Sequence, residues 1–266
     1  MLAWLVHRSS SPAAEPERAA LRSPVAVGII PARLDSTRLP EKPLQDLGGA
    51  PLVVRVLERA RLASALTRVL VATDSARVAD SVRAAGGEVV MTRSEHSSGL
   101  DRVAEVASRL EDDLIVNIQG DEPFVSPRGL DHLVSLFRDQ AVRVGTLATP
   151  FPAVEDPEDP SRVKVVADRL GRALYFSRSR VPSGGGGDSA LLLHVGVYAY
   201  RREALLDLAR LGPCPLERAE RLEQLRALWN GISVHLAVGE YGSLGVDTPE
   251  DLERARRLWA EHRGAS

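Results

Sequence analysis

Two hydrophobic periods alternate along this chain, and that alternation limits the folds open to it. Short runs of Val, Ile and Leu exchange with longer stretches whose apolar residues recur every three to four positions. Buried strands are expected over residues 25–30, 68–72, 88–91, 114–118 and 142–147. Helices are expected over residues 52–63, 76–85, 100–110 and 127–139. Four strand–helix–strand units of this length imply an α/β fold, a mostly parallel sheet with helices on both faces.

The second half departs from that rhythm. Residues 163–167 and 173–176 predict a strand pair around a turn at 168–171, and residues 191–200 a further strand. One helix is expected over 215–229, with Pro215 at its first position and Gly231 just past its end. A last strand covers 232–238, and a last helix 248–259 is capped by Thr248 with Pro249 at N1. The sheet is expected to continue through this half, as one domain over residues 25–262 with a smaller appended lobe. Residues 1–6 are apolar but too few for a signal-peptide core, with no positive segment before them. With the polar stretch that follows, residues 1–24 read as a flexible leader, a short helix packed on the body being the alternative. The four consecutive glycines at 184–187 read as a surface loop.

Charge and cysteine content exclude several classes. The 34 basic and 36 acidic residues leave a net charge of −2, which argues against a nucleic-acid binder. No run reaches the roughly 20 apolar residues of a membrane span. A single cysteine, Cys214, cannot form an intrachain disulfide, and the chain reads as cytoplasmic. The histidines show no zinc-ligand spacing.

In an open parallel sheet, ligands bind beyond the carboxyl ends of the strands. After the first strand comes Pro31-Ala32-Arg33-Leu34-Asp35-Ser36-Thr37-Arg38-Leu39-Pro40-Glu41-Lys42. Three cations, two hydroxyls and several amides there form a plausible polyphosphate cradle; ordinary solvated surface cations are the bland alternative. It is neither a Walker loop nor a Gly-x-Gly-x-x-Gly turn. Polar residues also follow the next three strands: Thr73-Asp74, Thr92 to Gly99, and Gln119-Gly120-Asp121-Glu122. Asp121 is either a helix cap or a metal ligand. Asp247, before the last helix, is either a cap beside Thr248 or a second ligand. Two carboxylates plus triphosphate oxygens suit Mg²⁺, which binds few carboxylates and keeps waters.

Ile29-Ile30-Pro31-Ala32-Arg33 through Arg38-Leu39-Pro40-Glu41-Lys42-Pro43-Leu44 resembles the nucleotide-binding signature of sugar-acid cytidylyltransferases. Val71-Ala72-Thr73-Asp74, Val116-Asn117-Ile118-Gln119-Gly120-Asp121-Glu122-Pro123 and Ala173-Leu174-Tyr175-Phe176-Ser177-Arg178 continue the likeness. So do His194-Val195-Gly196-Val197-Tyr198, Pro215-Leu216-Glu217, Glu223-Gln224-Leu225-Arg226 and Gly245-Val246-Asp247-Thr248-Pro249. Together, in this order, they resemble the CMP-Kdo synthetases, the 3-deoxy-manno-octulosonate (Kdo) branch of that group.

The resemblance implies a Rossmann-like nucleotidyltransferase sheet, with a nucleotide half near residues 25–150 and a sugar-acid and dimerisation half near 151–262. It implies transfer of CMP from CTP to the anomeric hydroxyl of Kdo, for lipopolysaccharide biosynthesis, by a homodimer. Arg33, Arg38 and Lys42 would hold the triphosphate, beside Pro31 and Ala32, and Asp121 and Asp247 would bind Mg²⁺. Thr73, Arg93 and Ser98 are the candidates for base and ribose. Gln119, Arg178, His194, Tyr198, Glu220 and Gln224 are those for the sugar acid. Helical geometry alone puts Glu217, Glu220 and Gln224 within about 60° of one another, as a solvated face would be.

Three departures bear on specificity. Leu100 stands where the family usually has Thr, and Glu41 where it commonly has Gly. The tetraglycine segment replaces a longer loop. They motivate two alternatives: the same chemistry on 8-amino-Kdo or a sialic-acid-like sugar, or a degenerate nucleotide-binding protein.

Overall fold

The computed structural model describes residues 24–96, 98–183, 191–242 and 244–264. The expected leader and the tetraglycine segment therefore lie outside the described residues, apart from Pro24 and Ser183.

The first half follows the alternating pattern. Strands β1 (Ala26–Pro31), β2 (Leu66–Thr73), β3 (Glu88–Met91) and β4 (Leu114–Asn117) pair in parallel in the order β3-β2-β1-β4. Helices α1 (Leu52–Ala60), α2 (Ala76–Ala84), α3 (Gly99–Ala107) and α4 (Pro127–Ser135) connect and cover them. Serine hydroxyls start three of these helices: Ser75, Ser98 and Ser126 accept from the amides of Val78, Asp101 and Gly129.

A strand buried on both faces divides its side chains by a period of two. Ile30 of β1 packs under α1, α2 and α4, whereas Val27 and Ile29 pack under α3 and the later helices. A third, smaller cluster joins Leu39, Leu47 and Leu52 to Val246, Leu252 and Ala255. The last three lie in and before the terminal helix α8 (Pro249–Gly264).

The later strands are β5 (Val144–Pro150), β6 (Lys164–Ala167), β7 (Ala173–Ser177), β8 (Leu192–Arg201) and β9 (Val234–Val238). They complete the sheet as β4-β8-β5-β9. Strand β8 is antiparallel and lies between β4 and β5, so the other six on this path share one direction. The hairpin β6–β7 attaches to the start of β8 through Lys164↔Leu193 and Val165↔Leu192. It forms the small lobe.

Two helical expectations need correction. Residues 202–210, left unassigned by the sequence reading, form α5 (Arg202–Arg210), packed on α3. The single helix expected over 215–229 is two, α6 (Pro215–Glu220) and α7 (Leu225–Trp229). Arg221 between them is left-handed, φ 56°, a conformation that costs a non-glycine residue roughly 1 kcal/mol or more. Arg178 offsets that cost by donating to the carbonyls of Glu220 (2.8 Å) and Arg221 (3.4 Å) at the helix end. Glu217, Glu220 and Gln224 therefore do not share a helix face.

Candidate active site

The loop after β1 turns over the sheet's carboxyl edge and enters a short 3-10 helix, Lys42–Leu44. Glu41 precedes it in the left-handed region, φ 50°. Its carboxylate faces away from the cradle and pairs with both terminal nitrogens of the Arg77 guanidinium on α2. Those hydrogen bonds hold the Glu41 carboxyl below its usual range. The extra anion is thereby neutralised outside the site.

Lys42 turns inward. Its Nζ lies 2.6 Å from Asp121 Oδ2 and 2.9 Å from Asp247 Oδ1, and Arg38 Nη2 lies 3.0 Å from the same Asp247 oxygen. Burial opposes the charge on Lys42, but the two carboxylates outweigh it and raise the ammonium's pKa above normal. Lys42 is therefore a fixed cation.

Neither carboxylate caps a helix. Ser126 caps α4, while Thr248 and Asp251 close the start of α8 reciprocally: Asp251 N–H donates to Thr248 Oγ1, and Asp251 Oδ2 accepts from Asp247 N–H and Thr248 N–H. A backbone bond from Val246 N–H to the Asp121 carbonyl, 2.9 Å, ties the two acidic loops together. Gly120 lets the loop after β4 lie close against the end of β1, because a Cβ there would meet the Pro31 carbonyl at 2.8 Å. Two carboxylates converging on one point suit a divalent ion that takes its remaining ligands from phosphate and water. Among the described residues no group of three or more His, Cys, Asp or Glu side chains could hold a metal alone.

A polar cavity of about 380 Å³ surrounds this cluster, with Pro31, Arg33, Arg38, Lys42, Asp121 and Asp247 in its walls. Ser98 and Arg102 line it too. Arg102, which sequence reasoning missed, is buried and donates to Asp74 Oδ2 at 3.1 Å and to Thr92 Oγ1. Its place on the first turn of α3 was the available signal.

Among the base and ribose candidates, the structure does not bring the other two, Thr73 and Arg93, to this cavity. Thr73 is fully buried at the end of β2, and its hydroxyl accepts from Ser75 N–H at 3.1 Å. Arg93 is exposed and directed at Glu105, 3.7 Å from its carboxylate. Ala32 is buried under the cradle.

A second cavity, about 490 Å³, opens from the first; Arg38, Gly99, Gln119 and Glu223 line both. Glu223 was also missed. It is solvent-exposed where the two cavities adjoin, and local desolvation raises its pKa, a rise partly offset by the Arg226 charge and a hydrogen bond from Ser98. Gln119, His194, Tyr198 and Gln224 line this second cavity. Leu100 contributes an apolar wall where a hydroxyl was absent from the motif.

Two sugar candidates have structural duties instead. The Glu220 carboxylate accepts from Ser177 Oγ (2.8 Å) and Arg178 N–H (2.9 Å) and lines neither cavity. Arg178 borders the second cavity, yet its guanidinium is committed to the carbonyls of Pro160, Glu220 and Arg221. Glu217 makes a buried two-point ion pair with Arg226 (2.6 and 2.9 Å).

His194 is a neutral imidazole. Burial lowers its pKa to about 3, with Phe176 edge-on at 5.1 Å and Tyr198 at 5.4 Å. Thr146 Oγ1 donates to the Val197 carbonyl at 2.7 Å, so it accepts from His194 Nε2 at 3.1 Å. Nδ1 is left as an acceptor. Between about pH 3 and 6.5 the unfolded chain binds a proton that the folded one refuses, so stability falls as pH drops through 6.5. His194→Gln should flatten the acid limb of a Tm-against-pH curve; an unchanged limb would contradict the buried neutral ring.

A mostly parallel sheet with a cation cradle at its carboxyl edge and a facing pair of carboxylates is that of a nucleotidyltransferase of Rossmann-like type. The sequence profile of the cytidylyltransferases matches residues 27–235. The 3-deoxy-manno-octulosonate cytidylyltransferase of Syntrophotalea carbinolica is 48% identical over 237 residues, covering 85% of this chain and 95% of that protein. That of Bradyrhizobium sp. is 49% identical, covering 89% and 98%. The chain belongs to the 3-deoxy-manno-octulosonate cytidylyltransferase family. A structure described as CMP:2-keto-3-deoxy-manno-octonic acid synthetase complexed with CTP matches with TM-score 0.85 and 44% identity, over 90% of this chain and 99% of that one. The 4-diphosphocytidyl-2C-methyl-D-erythritol synthase of Anaerococcus prevotii, TM-score 0.62 at 15% identity, shares the fold.

Proposed function

We propose that this enzyme transfers CMP from CTP to the anomeric hydroxyl of Kdo, releasing CMP-Kdo and pyrophosphate. The observation that carries this reading is the cluster of Lys42, Arg38, Asp121 and Asp247 in the wall of the first cavity, of which Arg38 also lines the second. A triphosphate in the first cavity and a sugar acid in the second bring the α-phosphorus and the anomeric oxygen together there. The oxygen–phosphorus bond forms as the bond to pyrophosphate breaks, and the hydroxyl proton is released. Arg33, Arg38 and Lys42 neutralise charge growing on the leaving pyrophosphate, the main demand of phosphoryl-type transfer. Asp121 and Asp247 are the residues that would hold Mg²⁺, whose chemistry there is to acidify the hydroxyl and make phosphorus more electrophilic. No covalent enzyme intermediate is needed.

A pocket that hydrogen-bonds one base disfavours the others, because a wrong base leaves buried polar groups unpaired. Family membership further supports a homodimer working in the cytoplasm; no helix among the described residues is long and apolar enough to cross a membrane. The test is pyrophosphate release with CTP, UTP and ATP, Mg²⁺, and a panel of ulosonic acids. CTP with Kdo is expected to be the best pair. Equal rates with ATP and CTP would overturn the assignment, and a better rate with 8-amino-Kdo or a sialic acid would change the acceptor.

A further inference from the structure

The second cavity has two orphaned amide atoms in its walls. Asn117, at the end of β4, is 3% exposed, and its Oδ1 is enclosed without a hydrogen-bond partner. Gln224 Nε2, at the start of α7, is also enclosed and unpartnered. Both residues line the same cavity. Folded proteins pair nearly all such atoms, and one left unpaired costs about 1–3 kcal/mol. A cost retained on the wall of a ligand cavity points to a ligand that removes it.

The position of Asn117 supports this. Ile115, two residues earlier and on the same face of β4, belongs to the apolar core beneath α3. Asn117 is the polar residue that ends this face, opposite Tyr198 in the antiparallel ladder with β8. Cross-strand partners share a face, and both Asn117 and Tyr198 line the cavity.

The two orphans are complementary: Asn117 Oδ1 lacks a donor and Gln224 Nε2 lacks an acceptor. A carboxylate could satisfy only Gln224, and an ammonium only Asn117. A hydroxyl group serves either atom, being both donor and acceptor. We propose that Asn117 is a sugar-recognition residue whose Oδ1 accepts a hydrogen bond from one hydroxyl of the acceptor sugar acid. This rests on the function proposed above and adds a specificity determinant to it.

The test is a cycle between protein and substrate. KM for Kdo and for CTP, and kcat, are measured for the wild type and Asn117→Leu, with Kdo and with analogues each lacking one hydroxyl. Asn117→Leu is expected to raise the KM for Kdo about 10-fold or more, the scale of one lost hydrogen bond, with the KM for CTP within about twofold. For one analogue the wild type and the variant should perform alike, because the partner hydroxyl is already gone. Asn117→Asp keeps an acceptor and is expected to recover most of the loss. The proposal is overturned if both KM values rise together, if the penalty is equal for every analogue, or if it is absent. Should Asn117→Leu lose its CTP-dependent Tm shift and so prove misfolded, Asn117→Ser carries the same cycle. A wild type that ignores Kdo but turns over another ulosonic acid would overturn the acceptor assignment instead, and the cycle then runs on deoxy analogues of that acid.

Discussion

Asp121→Asn and Asp247→Asn should each reduce turnover by roughly 10³-fold or more, with the fold preserved, the scale of removing a preorganised charge at a reacting phosphate. The structure makes the fold half of this expectation specific. Asp247 is 40% exposed and its helix is closed by Thr248 and Asp251, so no cap is lost. Its ion pairs with Lys42 and Arg38 lie at a wet cleft, where such pairs contribute about 1 kcal/mol or less. Tm should therefore shift by only a few degrees. Mn²⁺ binding followed by electron paramagnetic resonance supplies a readout independent of activity, and both variants should bind it more weakly. Near wild-type kcat at saturating Mg²⁺ would rule out the two-carboxylate site.

Lys42→Ala is expected to be the most damaging change in the cradle, lowering kcat/KM for CTP by roughly 10²-fold or more. Arg38→Ala should cost less. Lys42 is 18% exposed and contacts both carboxylates, whereas Arg38 is 65% exposed and contacts one. The sign of the metal effect separates two roles for Lys42. Its ammonium occupies the point where the carboxylates converge, so it must yield to an arriving divalent ion. Removing it should leave Mn²⁺ affinity equal or higher while CTP affinity falls. Were both affinities to fall together, Lys42 would be holding the carboxylates in place rather than binding phosphate.

Much of the fold was legible because its signals are local. The exchange between period two and period 3.6 marked the strands and helices of the first half, and Thr248 with Pro249 marked the start of the last helix. Arg33, Arg38 and Lys42 stood together in one loop, and the carboxylates Asp121 and Asp247 each preceded a helix. The left-handed break at Arg221 was not legible, because the carbonyls exposed there are met by Arg178, a residue just past β7 and more than forty positions away.

The sequence by itself determined most of the elements and the loop that gathers the cations, since spacing along the chain encodes both. Only the tertiary structure decided which polar groups are free to act. Thr73, Glu220 and the Arg178 guanidinium are engaged in holding the fold, whereas Asn117, Gln224 and Glu223 face the cavity. The insertion of β8 between β4 and β5, which brings His194 and Tyr198 beside Asn117, was likewise settled by tertiary pairing. The physical reason is that a hydrogen bond goes to whichever partner is nearest in space. Strands far apart in sequence carry no local mark of which neighbour they will join.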